Sequence, residues 1–204
     1  MDSTNDTEST SLQDYFSIVI VGDENVGKTC ILNKYCNNQF SFSKKKQKSL
    51  EIYKKTITIN GEEIRLKLWD TQYNESYFKL NKQIYERADC IIYACSLNNK
   101  DSFINIDSWY QILTDNIDLS NKQMMILVNK SDLEEERAVS KEEIKQKADS
   151  FDMSYYEVSA LNGNGLEDAF KTILTKVVSS TYSKTGDTQE LKQDENTNSS
   201  NCIS

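Results

Sequence analysis

The chain of 204 residues has no histidine, no proline and only six glycines. Without histidine it lacks the usual general base of neutral pH and the commonest metal ligand. Serine–histidine and cysteine–histidine nucleophile pairs are excluded with it. Without proline, no prolyl cis bond shapes a loop. The five cysteines show no C-x-x-C spacing. Cys30, Cys36, Cys90 and Cys95 fall inside apolar patterns, where a buried thiol is expected, and a reducing, intracellular setting follows. No apolar run approaches the length of a membrane span. Residues Met1 to Ser11 are polar and acidic, without a signal-peptide core. A net charge of −8 argues against a nucleic-acid partner.

What is present begins at Phe16. The apolar run Phe16-Ser17-Ile18-Val19-Ile20-Val21 stops at Gly22, and Gly27-Lys28-Thr29 follows at the spacing G-x-x-x-x-G-K-[ST]. Cys30-Ile31-Leu32 then starts a helical pattern. Strand, glycine-bounded loop and helix in that order make a phosphate cradle, because successive backbone amides form an anion-binding concavity and the helix start adds its dipole. The candidate phosphate ligands are Asn25, Val26, Gly27, Lys28, Thr29 and Cys30. Lys28 is placed to reach the β- and γ-phosphates, and the Thr29 hydroxyl to ligate Mg²⁺.

The rest of the chain alternates strands and helices. A helix from Lys28 to about Tyr35 is followed by a polar loop, Phe40 to Ser49, with Lys44-Lys45-Lys46-Gln47-Lys48. Strands at 50–59 and 64–69 meet at Asn60-Gly61, a hairpin signal that makes them antiparallel. Helices are predicted at 75–87, 101–115, 140–151 and 165–178. Apolar strands are predicted at 90–95, 124–128 and 155–158. Ser140 and Glu143 form a capping-box pattern. This is an α/β chain: a mostly parallel sheet with helices on both faces. Residues 1–12 read as a disordered segment, 13–179 as one domain, and 180–204 as a flexible polar tail.

Ligands in such folds bind beyond the carboxyl ends of the strands, and the polar punctuation sits there. Asp70 follows the third strand and suits Mg²⁺ beside Thr29. Asn129-Lys130-Ser131-Asp132 follows the fifth, and Ser159-Ala160-Leu161 the sixth. Asp132 can accept from a base edge that carries an N–H and an amino group together; guanine has that pair and adenine does not. Asn129 suits a bond to both base and loop, and the Lys130 stem suits the base face.

With these motifs in order, the chain resembles the Ras superfamily of small GTPases, the Rab branch most, from about Tyr15 to Val178. The resemblance rests on Gly22–Thr29, Trp69-Asp70-Thr71, Asp101-Ser102-Phe103, Asn129-Lys130-x-Asp132-Leu133 and Ser159-Ala160. It implies a three-layer P-loop NTPase G domain of six strands, one antiparallel, that binds GTP or GDP with Mg²⁺. It further implies exchange factors, activating proteins and effectors as partners, in the cytoplasm or peripheral on intracellular membranes. Phe40 would pack on the guanine edge, and the Ala160 amide would meet the guanine carbonyl. Leu161 replaces the family's lysine, losing its stacking stem.

The departures cluster at the γ-phosphate. Gln47 stands where the family has its switch threonine. Gln72-Tyr73-Asn74 replaces Ala-Gly-Gln, so Asn74 stands where a glutamine orients the attacking water and is one methylene shorter. Glu24 adds an anion to the phosphate loop. Two readings stand: a switch enzyme that hydrolyses GTP slowly, or a nucleotide-held interaction module that does not hydrolyse it. A nucleotide kinase is disfavoured by the lack of a lid domain. The chain ends Asn201-Cys202-Ile203-Ser204, with the cysteine third from the end rather than fourth. Cys202 reads as a lipidation site giving reversible membrane association, or as a plain thiol.

Overall fold

The computed structural model describes residues 15–41, 50–71 and 75–197. Six strands form one sheet in the order β2-β3-β1-β4-β5-β6. They are β1 (Phe16–Val21), β2 (Glu51–Ile59), β3 (Glu62–Asp70), β4 (Cys90–Ser96), β5 (Gln123–Asn129) and β6 (Ser154–Glu157). Among the described strands only the β2–β3 pair is antiparallel, closed by Asn60 and Gly61, both at positive φ as a tight hairpin requires. The expected sheet is therefore observed, with β2 as its antiparallel edge.

The apolar strands face two cores because neighbouring residues point to opposite sides. Ile18 and Ile20 of β1, Ile92 of β4 and Leu127 of β5 lie in one core with residues of α1 (Lys28–Asn37) and α6 (Leu166–Thr197). Val19, Val21, Ile91, Tyr93, Ile126 and Val128 lie in the other. That second core is closed by α2 (Glu75–Glu86), α3 (Lys100–Ile104), α4 (Ile106–Asn116) and α5 (Lys141–Ser150). Burial on both faces explains why β4 and β5 read as unbroken apolar runs. Cys90 and Cys95 are buried and Cys30 and Cys36 half-buried, in line with their apolar settings.

Two boundaries differ from the sequence reading. The single helix expected over 101–115 is two, with Asn105 between α3 and α4 at φ −66, ψ −9. The Asn105 amide still donates to Asp101 O (2.8 Å), so the axis steps rather than breaks. The second difference is α6, which stays helical through Thr197 although the apolar spacing ends at Val178 and the composition from 180 predicts a flexible tail. That segment has no proline, and its Gln, Glu, Leu and Lys residues are good helix formers. Among the described residues, no helix is long and apolar enough to cross a membrane.

α6 is pinned to α1 by a ring stack. Phe170 lies face to face with Tyr35, centroids 3.8 Å apart, and Lys55 Nζ sits 3.6 Å from the Tyr35 ring centroid. Phe170→Ala removes a fully buried ring and is expected to destabilise by about 3–5 kcal/mol. Urea unfolding at fixed nucleotide concentration measures it.

Candidate functional site

The phosphate loop leaves β1 through a space that admits only glycine. Gly22 has φ +141, and a Cβ there would lie 2.1 Å from Ala94 O on the neighbouring strand. The loop turns through Asn25 (φ 63) and enters α1 at Gly27 (φ 97). Gly27 is the N-cap of α1, with no capping side chain and no acid in the first turn. By contrast α3 and α5 are capped by side chains: Asn99 accepts from Ser102 N, and Ser140 and Glu143 form the expected capping box on α5. The start of α1 therefore turns its first-turn amides and its dipole toward an external anion with no capping side chain at Gly27 to compete.

Lys28 is folded over this loop. Its Nζ donates to Gly22 O and Asp23 O, both at 2.8 Å, and the residue is 8% exposed. Burial pushes its ammonium down from the ordinary 10.5 to about 8, against the raising influence of Asp70, Asp23 and Glu24. Glu24 itself is exposed, so its charge serves the Lys28 cation from outside rather than filling the loop. The shift has a consequence for affinity. Free protein loses the Lys28 charge as pH rises through about 8, whereas bound phosphates favour the charged form, so binding takes up a proton above that pH. The Kd for GDP is expected to be nearly flat up to about pH 7 and to rise roughly fivefold from pH 8 to 9, read by fluorescent-nucleotide competition. In a stability measurement the same shift has the opposite sign. The unfolded chain binds the proton more readily between about 8 and 10.5, so this term adds stability with rising pH. Buried Cys95, pushed up to about 12, opposes it above pH 9, which makes affinity the cleaner measure.

Thr29 and Asp70 meet as the sequence predicts. Thr29 Oγ1 donates to Asp70 Oδ2 at 2.5 Å. The register of parallel β1 and β3 sets this up, with Ile20 opposite Asp70. The neighbours of Asp70 are fastened as well: Trp69 Nε1 donates to Ser17 Oγ (2.9 Å) and Thr71 Oγ1 to Ile20 O (2.5 Å). Cys30 Sγ donates to Ser41 O (3.6 Å), and burial pushes its thiol up, so it is a packing group rather than a nucleophile. Phe40 packs against the core that α1 and α6 share.

The base-side residues converge on Asn129 at the end of β5. Its Nδ2 donates to Val26 O (2.8 Å) in the phosphate loop, and its Oδ1 accepts from the Ala160 amide (3.0 Å). Gly27 leaves the room for this, since a Cβ there would lie 2.4 Å from Asn129 Nδ2. The Ala160 amide, expected to meet a guanine carbonyl, is thus satisfied within the protein, and a base would share it. Lys130 adopts φ 66 and turns the chain so that Asp132 faces Ser159, whose Oγ donates to Asp132 Oδ1 at 2.5 Å. Leu161 is 45% exposed at the rim.

Three residues outside the sequence motifs contribute to the site. Arg137 bonds both oxygens of Glu157 and both of Glu134, bracing the Asp132 turn against β6. Asn105 Nδ2 and Trp109 Nε1 both donate to the Asp23 carboxylate. The Glu134–Arg137 pair is legible as an i,i+3 pattern; the contacts of residues 105 and 109 with residue 23 are not. Lys44 to Lys48, Gln72-Tyr73-Asn74 and Cys202 lie outside the described residues.

Comparison with known proteins gives the same picture. The Ras family model matches residues 17–179. A "Ras-related protein Rab2BV" of Beta vulgaris is 34% identical over 79% of this chain and 75% of that relative. "Ras-related protein Rab-11B" of Dictyostelium discoideum is 33% identical over 89% of this chain and 82% of its own length. "Ras-related protein Rab11C" of Nicotiana tabacum is also 33% identical, over 93% and 82%. The structure agrees with these matches: a glycine-bounded loop leads into α1, Lys28 is folded over it, and Asn129 ties it to the loop after β6. The chain belongs to the Ras family of small GTPases, in its Rab-like branch, and binds guanine nucleotide.

Proposed function

We propose that the protein is a GDP/GTP switch of intracellular vesicle and membrane traffic that hydrolyses GTP slowly. The observation that carries the reading is Asn129, one side chain joining the phosphate loop at Val26 to the base loop at Ala160. The Rab-named relatives support the trafficking setting. Thr29 and Asp70 offer hard oxygen donors at one point, and among the described residues no His/Cys/Asp/Glu cluster competes with them. That donor set fits Mg²⁺ completed by phosphate oxygens and water. Bound there, the ion would neutralise charge on the β- and γ-phosphates.

This chain's own residues would do the rest. The α1 amides hold the phosphates, Lys28 adds a point charge, and Asp132 with Asn129 selects guanine. Effectors, exchange factors and activating proteins are its partners, and a lipid on Cys202 would give reversible membrane contact.

Slow turnover is supported by the residues that the resemblance aligns with the family's γ-phosphate positions. Asn74 carries the amide that would orient water one methylene short, and about an ångström of misplacement is costly. Intrinsic Ras-type hydrolysis is only about 10⁻⁴ s⁻¹, and a further loss of about 1.4 kcal/mol slows it tenfold. A second reading, a nucleotide-held module without hydrolysis, is favoured by Gln47, Tyr73 and Asn74 occurring together. Single-turnover phosphate release from GTP-loaded protein with Mg²⁺ separates the two. Release at or above about 10⁻⁴ s⁻¹ sinks the module, and micromolar or weaker binding of both nucleotides sinks both readings.

A further inference from the structure

Asp23, the first residue after the glycine turn, is gripped from a distant part of the fold. Its carboxylate accepts from Asn105 Nδ2 at 2.7 Å and from Trp109 Nε1 at 3.1 Å, donors 82 and 86 positions further along. The two donors are four residues apart and share one helix face. Neither can easily be re-aimed. Trp109 is buried in the core that contains Val21, Phe103 and Ile106. Asn105 occupies the step between α3 and α4, where its amide is committed to Asp101 O and its carbonyl to Trp109 N. Its side chain is the group left to serve Asp23. The Asp23 carbonyl in turn accepts from Lys28 Nζ. A chain of bonds therefore runs from the α3–α4 step, through Asp23, to the loop lysine.

We propose that Asn105 and Trp109 are positioning residues for the nucleotide: through Asp23 they hold the first turn of the phosphate loop and the place of Lys28 above it, and so set the rate at which bound guanine nucleotide leaves. The proposal rests on the reading of this loop as the nucleotide site. Position 105 needs a neutral donor. An aspartate there would turn a carboxylate toward the Asp23 carboxylate and repel it. Exchanging the pair, asparagine at 23 and aspartate at 105, restores one donor facing one acceptor and leaves an amide oxygen for the indole N–H.

Four proteins test this: the wild type, Asn105→Asp, Asp23→Asn, and the double exchange. Each is loaded with a fluorescent GDP analogue and chased with excess GDP, and melting temperatures of nucleotide-free protein are taken in parallel. Asn105→Asp is expected to release the analogue at least tenfold faster than wild type. The double exchange is expected to return to within threefold. Should Asn105→Asp fail to fold, Asn105→Ala, expected to be threefold faster or more, carries the comparison with the double exchange. An Asn105→Asp rate within twofold of wild type overturns the proposal. So does a double exchange that is no slower than Asn105→Asp, or a release rate that only follows the melting temperature across the four proteins, since a merely structural contact would move both together. Failure of the wild type to hold the analogue overturns the nucleotide reading itself, before any substitution is compared.

Discussion

Asp132→Asn is expected to weaken GDP binding by a factor of about 10²–10³. The carboxylate can accept from both the ring N–H and the amino group of guanine. Asparagine keeps one oxygen and turns an N–H₂ toward the amino group, so a charge-assisted bond of about 1.5–3 kcal/mol is lost and two donors face each other. Xanthine carries a carbonyl at the position of that amino group. The variant is therefore expected to reverse the order and prefer xanthosine diphosphate. The fold has no stake in the change: Asp132 is exposed, and the Ser159 hydroxyl that bonds it can donate equally to an amide oxygen. Competition titration against a fluorescent nucleotide reads both affinities. A GDP Kd within threefold of wild type would show that this turn does not read the base.

The second large effect is at Lys28. Lys28→Met is expected to reduce GDP affinity by about 10²–10³, through loss of the cation facing the phosphates. Stability of the nucleotide-free protein should change little. The substitution removes two bonds to loop carbonyls, each contributing about 1 kcal/mol. It also removes the penalty of holding a buried ammonium below its ordinary pKa, which is roughly 3 kcal/mol. These terms nearly cancel, and the melting temperature should stay within about 4 °C. A fall of 10 °C or more would make Lys28 a fold residue and sink the assignment of its charge to the ligand.

The sheet was legible because its strands are punctuated. β4 and β5 have unbroken apolar interiors, Asn60-Gly61 closes β2 on β3, and the polar residues after β1, β3, β5 and β6 mark the loops that meet at the site. The phosphate loop was legible because its chemistry depends on residue types at fixed short spacing. The helix boundaries were less so. Nothing in the pattern of residues 101–115 marks Asn105 as a step, since its backbone remains right-handed and near-helical. The extension of α6 to Thr197 is not marked by any apolar spacing, because local helix propensity needs no buried face. The grip on Asp23 is a contact between residues far apart in the chain, set by how α4 packs on the sheet. The Ala160 amide shows the same limit: the sequence marks it as a donor, and the packing of Asn129 decides what it meets first.

The Asn129 bridge means that affinity for the base and affinity for the phosphates are not separate properties of this protein. One side chain holds Val26 and Ala160 at once, so ordering either loop restricts the other. Guanosine and pyrophosphate, offered as fragments, should each meet a site that is only half organised, and each should improve the other's binding. Substitutions on the two sides should then fail to add, with the second loss smaller than when made alone. Discrimination among bases would persist only while the phosphates are held.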